Sequence, residues 1–141
     1  MAKILAIDYG QKRVGFAATD DLQIIASGLT TVHVKDTLDF IANFLTKNEV
    51  ECIVIGEAKD LQNNPAESAR FIEPFVKHLT RKFPQLKIER MDERFTSKMA
   101  FQTMIDSGLK KKARQNKALI DEISATIILQ SYLERKKSLN L

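Results

Sequence analysis

The chain has 141 residues, a hydrophobic content of 44% and a formal net charge of +4. This length suits one folded domain, and the composition excludes a largely disordered protein. Only four consecutive apolar residues precede Asp8, and no apolar run approaches the ~18 residues that a membrane span requires. We therefore expect a soluble, cytoplasmic protein with neither a signal peptide nor a membrane partner.

The positive charge is concentrated in one short segment. Residues 110–117 contain five cations and no acid, whereas the rest of the chain has 17 basic and 18 acidic residues. The five cations are Lys110, Lys111, Lys112, Arg114 and Lys117. Such a cluster is typical of a phosphate-binding patch, although a solvated basic loop is the commoner fate of a charge run.

The first part of the chain predicts three strands joined by short turns. Residues 3–8 form an apolar run of strand length that ends in an acid, and residues 13–19 follow after a turn. A third strand is predicted over Ile24–Val32. Strands joined this tightly pair antiparallel, so we expect a three-stranded meander.

Helical and strand patterns alternate from residue 38 onward. Helices are predicted over residues 38–45, from near Asn63–Pro65, over Thr96–Ser107 and over Lys117–Arg135. Strands are predicted over Glu51–Ile55 and Leu86–Met91. Pro74 lies inside the second helix, where we expect a kink or a break. Strands connected through helices run parallel, so the pattern predicts an α/β fold: a five-stranded mixed sheet with helices on both faces, in three layers.

Several acids lie where such a sheet performs chemistry, beyond the carboxyl ends of its parallel strands. They are Asp8, Glu57, Asp92, Glu93 and, in the first turns of the last helix, Asp121. Singly, Asp8 is also explained as a turn acid and Asp121 as an acid at a helix N-terminus. Crowded carboxylates repel each other unless a cation neutralises them, and Mg²⁺ prefers oxygen ligands. Together with the basic segment, the acids predict a magnesium-dependent nuclease.

Three motifs resemble those of the YqgF/RuvX family. They are Ile4–Gly15 (ILAIDYGQKRVG), Asp92–Ser97 (DERFTS) and Asp121–Tyr132 (DEISATIILQSY). Each motif is weak alone, but together, in this order and spacing, they are strongly specific and cover nearly the whole chain. Family members are called Holliday junction resolvases or pre-16S rRNA nucleases. The resemblance implies that residues 1–141 form one nuclease domain with the ribonuclease H-like fold.

The resemblance also implies roles for individual residues. Asp8, Glu93 and Asp121 would be the catalytic acids that hold Mg²⁺, with Mn²⁺ as the alternative metal. Asp92, beside Glu93 at the end of the fifth strand, is a candidate for an additional ligand, as is Glu57. The residues that would contact nucleic acid are Lys12, Arg13, Arg94, Lys110, Lys111, Lys112, Arg114 and Lys117. Lys12 is equally well explained as an exposed turn lysine, and Arg94 as the partner of a neighbouring acid.

The chain departs from the family pattern after the fourth strand. It reads Gly56-Glu57-Ala58 where the family usually has Gly-Leu-Pro, and residues 59–66 also differ. Glu57 is therefore either a further metal ligand or an exposed loop residue.

The family association favours processing of the 5′ end of pre-16S rRNA during ribosome biogenesis, with a structured rRNA precursor or a pre-ribosomal particle as partner. Resolution of branched, four-way DNA junctions uses the same chemistry and is the alternative. Symmetric cutting of a junction needs two active sites, and the sequence has no obvious dimer interface, so we expect a monomer or weak homodimer.

Two further functions fit parts of the sequence. A non-catalytic RNA-binding assembly factor would use the basic segment, but it would gain nothing from clustered acids. A phosphotransferase of the actin type also has Asp-x-Gly after its first strand, but it closes two such domains around ATP.

Overall fold

A five-stranded sheet forms the centre of the computed structural model, which describes residues 2–10, 12–58, 69–93 and 117–139. The strands are β1 (Lys3–Tyr9), β2 (Arg13–Thr19), β3 (Ala26–His33), β4 (Val50–Ala58) and β5 (Lys87–Glu93). The helices are α1 (Thr37–Lys47), α2 (Ala69–Lys82) and α3 (Lys117–Leu139), and a 3₁₀ turn at Val34–Asp36 leads into α1. None of these helices is both long and apolar enough to cross a membrane.

The strands lie in the order β3-β2-β1-β4-β5. β1 pairs antiparallel with β2, and β2 with β3, whereas β4 pairs parallel with both β1 and β5. The predicted meander followed by two parallel strands is therefore confirmed. β1 lies in the middle of the sheet, and its apolar run Ile4–Ile7 is completely buried.

Successive residues of the strands point to opposite faces, which produces two cores. On one face, Leu5, Ile7 and Ile53 pack with residues of α1 and α2. On the other face, Ile4 and Ala6 pack with residues of α3. The prediction of helices on both faces of the sheet is confirmed.

The start of the third strand was predicted two residues too early. β3 begins at Ala26, and Ile24 and Ile25 lie in the preceding turn. The carboxylate of Asp20 accepts hydrogen bonds from the backbone N–H groups of Ile24 (2.8 Å) and Ile25 (3.0 Å). Because this side chain satisfies both amides, the β-branched pair does not have to join the sheet.

The predicted break at Pro74 does not occur, because α2 runs through this residue. Ile72, Phe75 and Leu79 are buried on both sides of the proline. Their burial, at roughly 1.5–3 kcal/mol for each large apolar side chain, offsets the ~3 kcal/mol that a proline costs inside a helix. The predicted helix over Thr96–Ser107 lies outside the described residues.

Candidate active site

Asp8 lies near the carboxyl end of β1, on the face of the sheet that α3 covers. It shares this face with Ile4 and Ala6, because alternate residues of a strand point the same way. Its register partner on β2 is Gly15. The buried run of β1 therefore ends in a carboxylate held under the first turns of α3.

Gly15 allows α3 to come this close. A Cβ atom at this position would collide with the backbone carbonyl oxygen of Asp121 and lie 3.0 Å from the backbone nitrogen of Glu122. A larger residue would lift this part of the helix, and Asp121 with it, away from the sheet. Sequence reasoning included Gly15 in a motif but gave it no role. The available signal was a glycine inside a strand, which often marks a close approach of another backbone.

The contact between β2 and α3 places Asp121 close enough to Asp8 for the two charges to interact. Burial, and secondarily the negative charge of Asp121, raise the pKa of Asp8 to about 7. Near neutral pH, Asp8 therefore binds a proton far more readily than an ordinary aspartate when no cation is bound. A carboxyl in this state accepts a metal ion by losing its proton.

Arg13 is a cation that contacts the Asp121 member of this acid pair. Its Nε lies 2.8 Å from Oδ2 of Asp121, and the two side chains are 38% and 21% exposed. The start of β2 is fixed by a hydrogen bond in which the backbone N–H of Gly10 donates to the carbonyl oxygen of Arg13 (3.0 Å). A partly exposed ion pair contributes at most ~1 kcal/mol, so its main effect is to orient the Asp121 carboxylate. The sequence predicted Arg13 only as a nucleic-acid contact.

The other predicted acids lie at the same edge of the sheet. Glu57 pairs in register with Asp92, and Ala58 pairs with Glu93, at the carboxyl ends of β4 and β5. Glu57 belongs to strand β4, so its interpretation as a loop residue is wrong. The backbones of Glu57, Asp92 and Glu93 are described, and their side chains lie outside the description.

The predicted nucleic-acid contacts are described only in part. Lys12 is exposed on the turn between β1 and β2, and its carbonyl oxygen accepts a hydrogen bond from the backbone N–H of Val34 (2.9 Å). Lys117 is the first residue of α3. The remaining predicted contacts lie outside the described residues: Arg94, Lys110, Lys111, Lys112 and Arg114.

The donor atoms at this edge suit a hard divalent cation. Asp8 and Asp121 provide two neighbouring carboxylates, and the raised pKa of Asp8 shows that a nearby positive charge would stabilise the ionised pair. Within the described ranges no group of three metal-binding side chains occurs. Mg²⁺ needs few protein ligands, because it retains several waters and binds substrate phosphates. Two carboxylates, with Glu93 at the same edge, are compatible with that preference.

Relatives highly similar in sequence to this chain carry the name of a nuclease. Residues 2–135 match the RuvX family, described as Holliday junction resolvase. A Flavobacterium psychrophilum protein is 62% identical over 136 residues, which is 96% of this chain and 99% of that protein. A Phocaeicola vulgatus protein is 60% identical over 137 residues, with coverages of 97% and 99%. Both relatives carry the provisional name of pre-16S rRNA nuclease.

Two solved structures have the same fold. The fowlpox virus resolvase, in complex with Holliday junction DNA, has a TM-score of 0.57 at 14% identity and covers 94% of this chain and 97% of its own. Thermus thermophilus RuvC, in complex with a Holliday junction substrate, has a TM-score of 0.56 at 15% identity, with 96% of each chain covered. At this identity the likeness concerns the fold alone, and it confirms the ribonuclease H-like arrangement.

Proposed function

The chain belongs to the RuvX family, and on this premise we propose that it is a magnesium-dependent endonuclease that processes the 5′ end of pre-16S rRNA. The nuclease class follows from the family and from relatives that are about 60% identical. The names of these relatives support the choice of substrate. The observation that carries the mechanism is the apposition of Asp8 on β1 and Asp121 on α3, which places two interacting carboxylates at the carboxyl ends of the parallel strands.

In this proposal Asp8, Asp121 and Glu93 hold the metal, and Glu57 and Asp92 are reserve ligands at the same edge. Bound Mg²⁺, or Mn²⁺ in its place, would activate a water and stabilise the leaving oxygen in phosphodiester hydrolysis. Asp8 would give up its proton in holding the cation. Arg13 keeps the Asp121 carboxylate oriented through its 2.8 Å contact.

The basic residues would hold the substrate backbone. Lys12 projects from the turn beside the end of β1, and residues 110–117 carry the strongest positive charge of the chain. Cations bind phosphates without regard to base sequence, so their role would be to place the scissile bond at the acids. We propose that the whole chain works as one nuclease domain in the cytoplasm, on free precursor or on a pre-ribosomal particle.

Resolution of a four-way DNA junction is the alternative, because the matching family is described as Holliday junction resolvase. A non-catalytic RNA-binding factor is disfavoured by the acid pair itself. Holding Asp8 and Asp121 together raises the pKa of Asp8, and this arrangement costs stability at neutral pH that a binding protein has no reason to lose.

Cleavage assays on two substrates test the proposal. Labelled pre-16S rRNA and a synthetic four-way DNA junction are each incubated with the protein in Mg²⁺, in Mn²⁺ or in EDTA. Asp8→Asn is compared with Asp39→Asn, which makes the same chemical change at an exposed position of α1. We expect metal-dependent cutting of the rRNA by the wild type and by Asp39→Asn, and none by Asp8→Asn.

Each other outcome has a defined meaning. Cutting of the junction in preference to the rRNA would replace the proposed substrate by the alternative. Binding of both substrates without cutting, unchanged by EDTA and by Asp8→Asn, would support the assembly factor and contradict the nuclease mechanism.

A further inference from the structure

A small cavity lies at the same edge of the sheet as Asp8, on the opposite face. Asp8 and Tyr9 are consecutive residues of β1, so their Cα atoms are about 3.8 Å apart and their side chains point to opposite faces. Tyr9 lines the cavity and packs with the core that α1 and α2 cover. β3 ends at the same edge, because its last residue, His33, pairs with Arg13 at the start of β2. The segment that follows β3 therefore borders both the cavity and the edge that carries Asp8.

The lining of the cavity suits a ligand that is partly apolar and partly anionic. Its volume is about 380 Å³, within the range of small-molecule sites. Val34, Leu38 and Phe75 provide apolar walls. Lys35 and His78 add exposed polar groups that can donate hydrogen bonds, and no acid is among the described residues of the lining.

Phe75 holds the aromatic ring of Tyr9 in position. The two ring centroids are 4.3 Å apart and the ring planes are inclined by 16°, so the rings are stacked. Phe75 is buried, whereas Tyr9 is partly exposed. An aromatic ring that is fixed on its inner side and accessible from a cavity is a surface on which any nucleobase can stack.

Thr37 provides the cavity with a polar group that has no partner in the protein. Its side chain is 1% exposed, and its hydroxyl oxygen forms no hydrogen bond within the described residues. A buried hydroxyl without a partner destabilises a fold, so most such groups in proteins are satisfied. In the wall of a cavity, this hydroxyl is satisfied when a ligand supplies the missing hydrogen bond.

Positive charge continues from the cavity along the exposed face of α2. Lys77, Arg81 and Lys82 line a second hollow that adjoins the first at His78. All three cations are exposed, and among the residues that the structure describes none of them forms an ion pair. Unpaired cations that lead to a cavity attract a chain of phosphates, which has a charge at every unit.

On the premise of the nuclease function proposed above, we propose that the cavity binds an unstacked nucleotide of the substrate strand next to the scissile phosphate. The base would lie against Tyr9 and bond with its polar edge to the hydroxyl of Thr37. Lys35 and His78 would contact the adjoining phosphate. A strand that crosses the edge of the sheet at Asp8 brings its next nucleotides to Tyr9, because the two residues are consecutive. The preferred substrate is therefore unpaired at the cut, since a paired base would first have to leave its helix.

RNA strands with and without bases test the proposal. Fluorescence anisotropy in EDTA compares a single-stranded RNA of about ten nucleotides with the same strand in which abasic sites replace all bases. We expect the wild type to bind the strand with bases about tenfold more tightly. A stacked base adds affinity, whereas a cationic surface alone binds the two backbones equally.

Variants of the cavity locate the base. Tyr9→Leu should abolish the preference, and Tyr9→Phe should retain it because the ring remains. Phe44→Leu is the matched control, since it changes a partly exposed aromatic residue of α1 outside the cavity, and it should retain the preference. Thr37→Val should lower the preference by about threefold without lowering thermal stability, because it removes an unpartnered hydroxyl. Circular dichroism establishes that each variant is folded.

A pair of lysine variants tests the phosphate contact. Lys35→Ala should weaken the binding of both strands by about threefold and make it less dependent on salt, because one contact to the backbone is lost. Lys47→Ala removes an equally exposed lysine at the last residue of α1 and should change neither quantity.

Several results would overturn the proposal. Equal affinity of the wild type for both strands, or no binding of either, would show that the cavity takes no base. A preference that survives Tyr9→Leu would place the base elsewhere, and an equal loss in Phe44→Leu would trace the effect to the core. Unchanged binding in Thr37→Val or Lys35→Ala would contradict the contact assigned to that residue.

These measurements contain no metal and are independent of cleavage. A protein that cuts RNA but shows no preference for bases keeps the proposed function and loses this inference. A protein that shows the preference but cuts neither substrate contradicts the nuclease mechanism instead.

Discussion

The two ends of α3 depart in opposite ways from the usual distribution of charged and apolar side chains between the surface and the interior of a protein. At the N-terminal end, Asp121 lies against the largely buried Asp8, so charge is held away from water. At the C-terminal end, the helix borders Ile24 and other aliphatic side chains that are held in water. In most proteins charged groups are outside and large apolar groups are inside. One helix therefore borders the proposed metal-binding acids at one end and an exposed apolar surface at the other.

Specific hydrogen bonds maintain both the buried charge and the exposed apolar side chains. The residues of α3 between the two ends pack in the ordinary way. Arg13 fixes Asp121 at one end, and Asp20 fixes the backbone of Ile24 and Ile25 at the other. Between the two ends, Ala125, Ile128 and Leu129 are buried in a regular core. Proteins break local folding rules mainly at functional positions, and the rest of the fold provides the stability that these positions lose.

The largest effect is expected on the rate of cleavage, from substitution of one of two neighbouring acids at the N-terminal end of α3. Asp121→Asn should lower cleavage by on the order of 10³-fold, because it removes a proposed metal ligand. Glu122→Gln is the matched control: its side chain lies over Gly28 of β3, and activity should change by less than about twofold. Rates of substrate cleavage in Mg²⁺ measure both. Equal losses in the two variants would contradict a specific role for Asp121.

A second prediction concerns the glycine under the catalytic end of the helix. Gly15→Ala should cost about 3 kcal/mol of unfolding free energy, because the new methyl group meets the backbone of Asp121. A backbone cannot move aside by rotating, as a side chain can. Gly28→Ala should cost about 1 kcal/mol or less, because there the methyl meets the flexible side chain of Glu122. Urea denaturation compares them. A milder effect for Gly15→Ala would show that α3 does not need its close contact with β2.

The pH dependence of stability should reveal the acid pair. Asp8 has a folded-state pKa of about 7 against an ordinary value of 3.8. Below about pH 4, Asp8 is protonated in both the folded and the unfolded protein. Between pH 4 and 7 it is protonated only in the folded protein, so the folded state loses stability as the pH rises. This loss is complete above pH 7. Without metal, Asp8→Asn should therefore be more stable than the wild type by up to about 4 kcal/mol near pH 8.

Thermal melts in EDTA across this pH range provide the measurement. The advantage of Asp8→Asn should disappear as the pH falls to about 4. Added Mg²⁺ should stabilise the wild type at pH 8 and leave Asp8→Asn unchanged. A constant difference at all pH values would mean that the carboxyl of Asp8 does not titrate with a raised pKa.

The smallest effect is expected at the apolar end of α3. Ile24→Val should change the unfolding free energy of the monomer by less than about 0.3 kcal/mol, because the side chain is exposed. Ile53→Val removes the same methyl group from the buried core and should cost about 1 kcal/mol. Denaturation at low protein concentration makes the comparison. Equal losses would show that Ile24 contributes to the core of the monomer.

The sequence by itself was sufficient for the framework of the fold. The apolar run Ile4–Ile7 predicted a central strand, and the change from alternating to helical spacing after β3 predicted the order of the remaining elements. These signals are local, since they depend on residues a few positions apart along one strand or helix. The acid Asp8 was identifiable for the same reason, because a carboxylate at the end of a buried strand is unusual.

The contacts that make the site could be decided only by the tertiary structure. The partner of Arg13 is 108 residues away, and the role of Gly15 depends on a helix that begins more than 100 positions later. The exposure of Ile24 could not be predicted either, because a β-branched residue favours a strand. Only the structure shows that its backbone N–H donates to the carboxylate of Asp20 instead of joining the sheet. Local patterns determine which elements form, whereas side-chain partners depend on how distant elements pack together, and no short stretch of sequence contains that information.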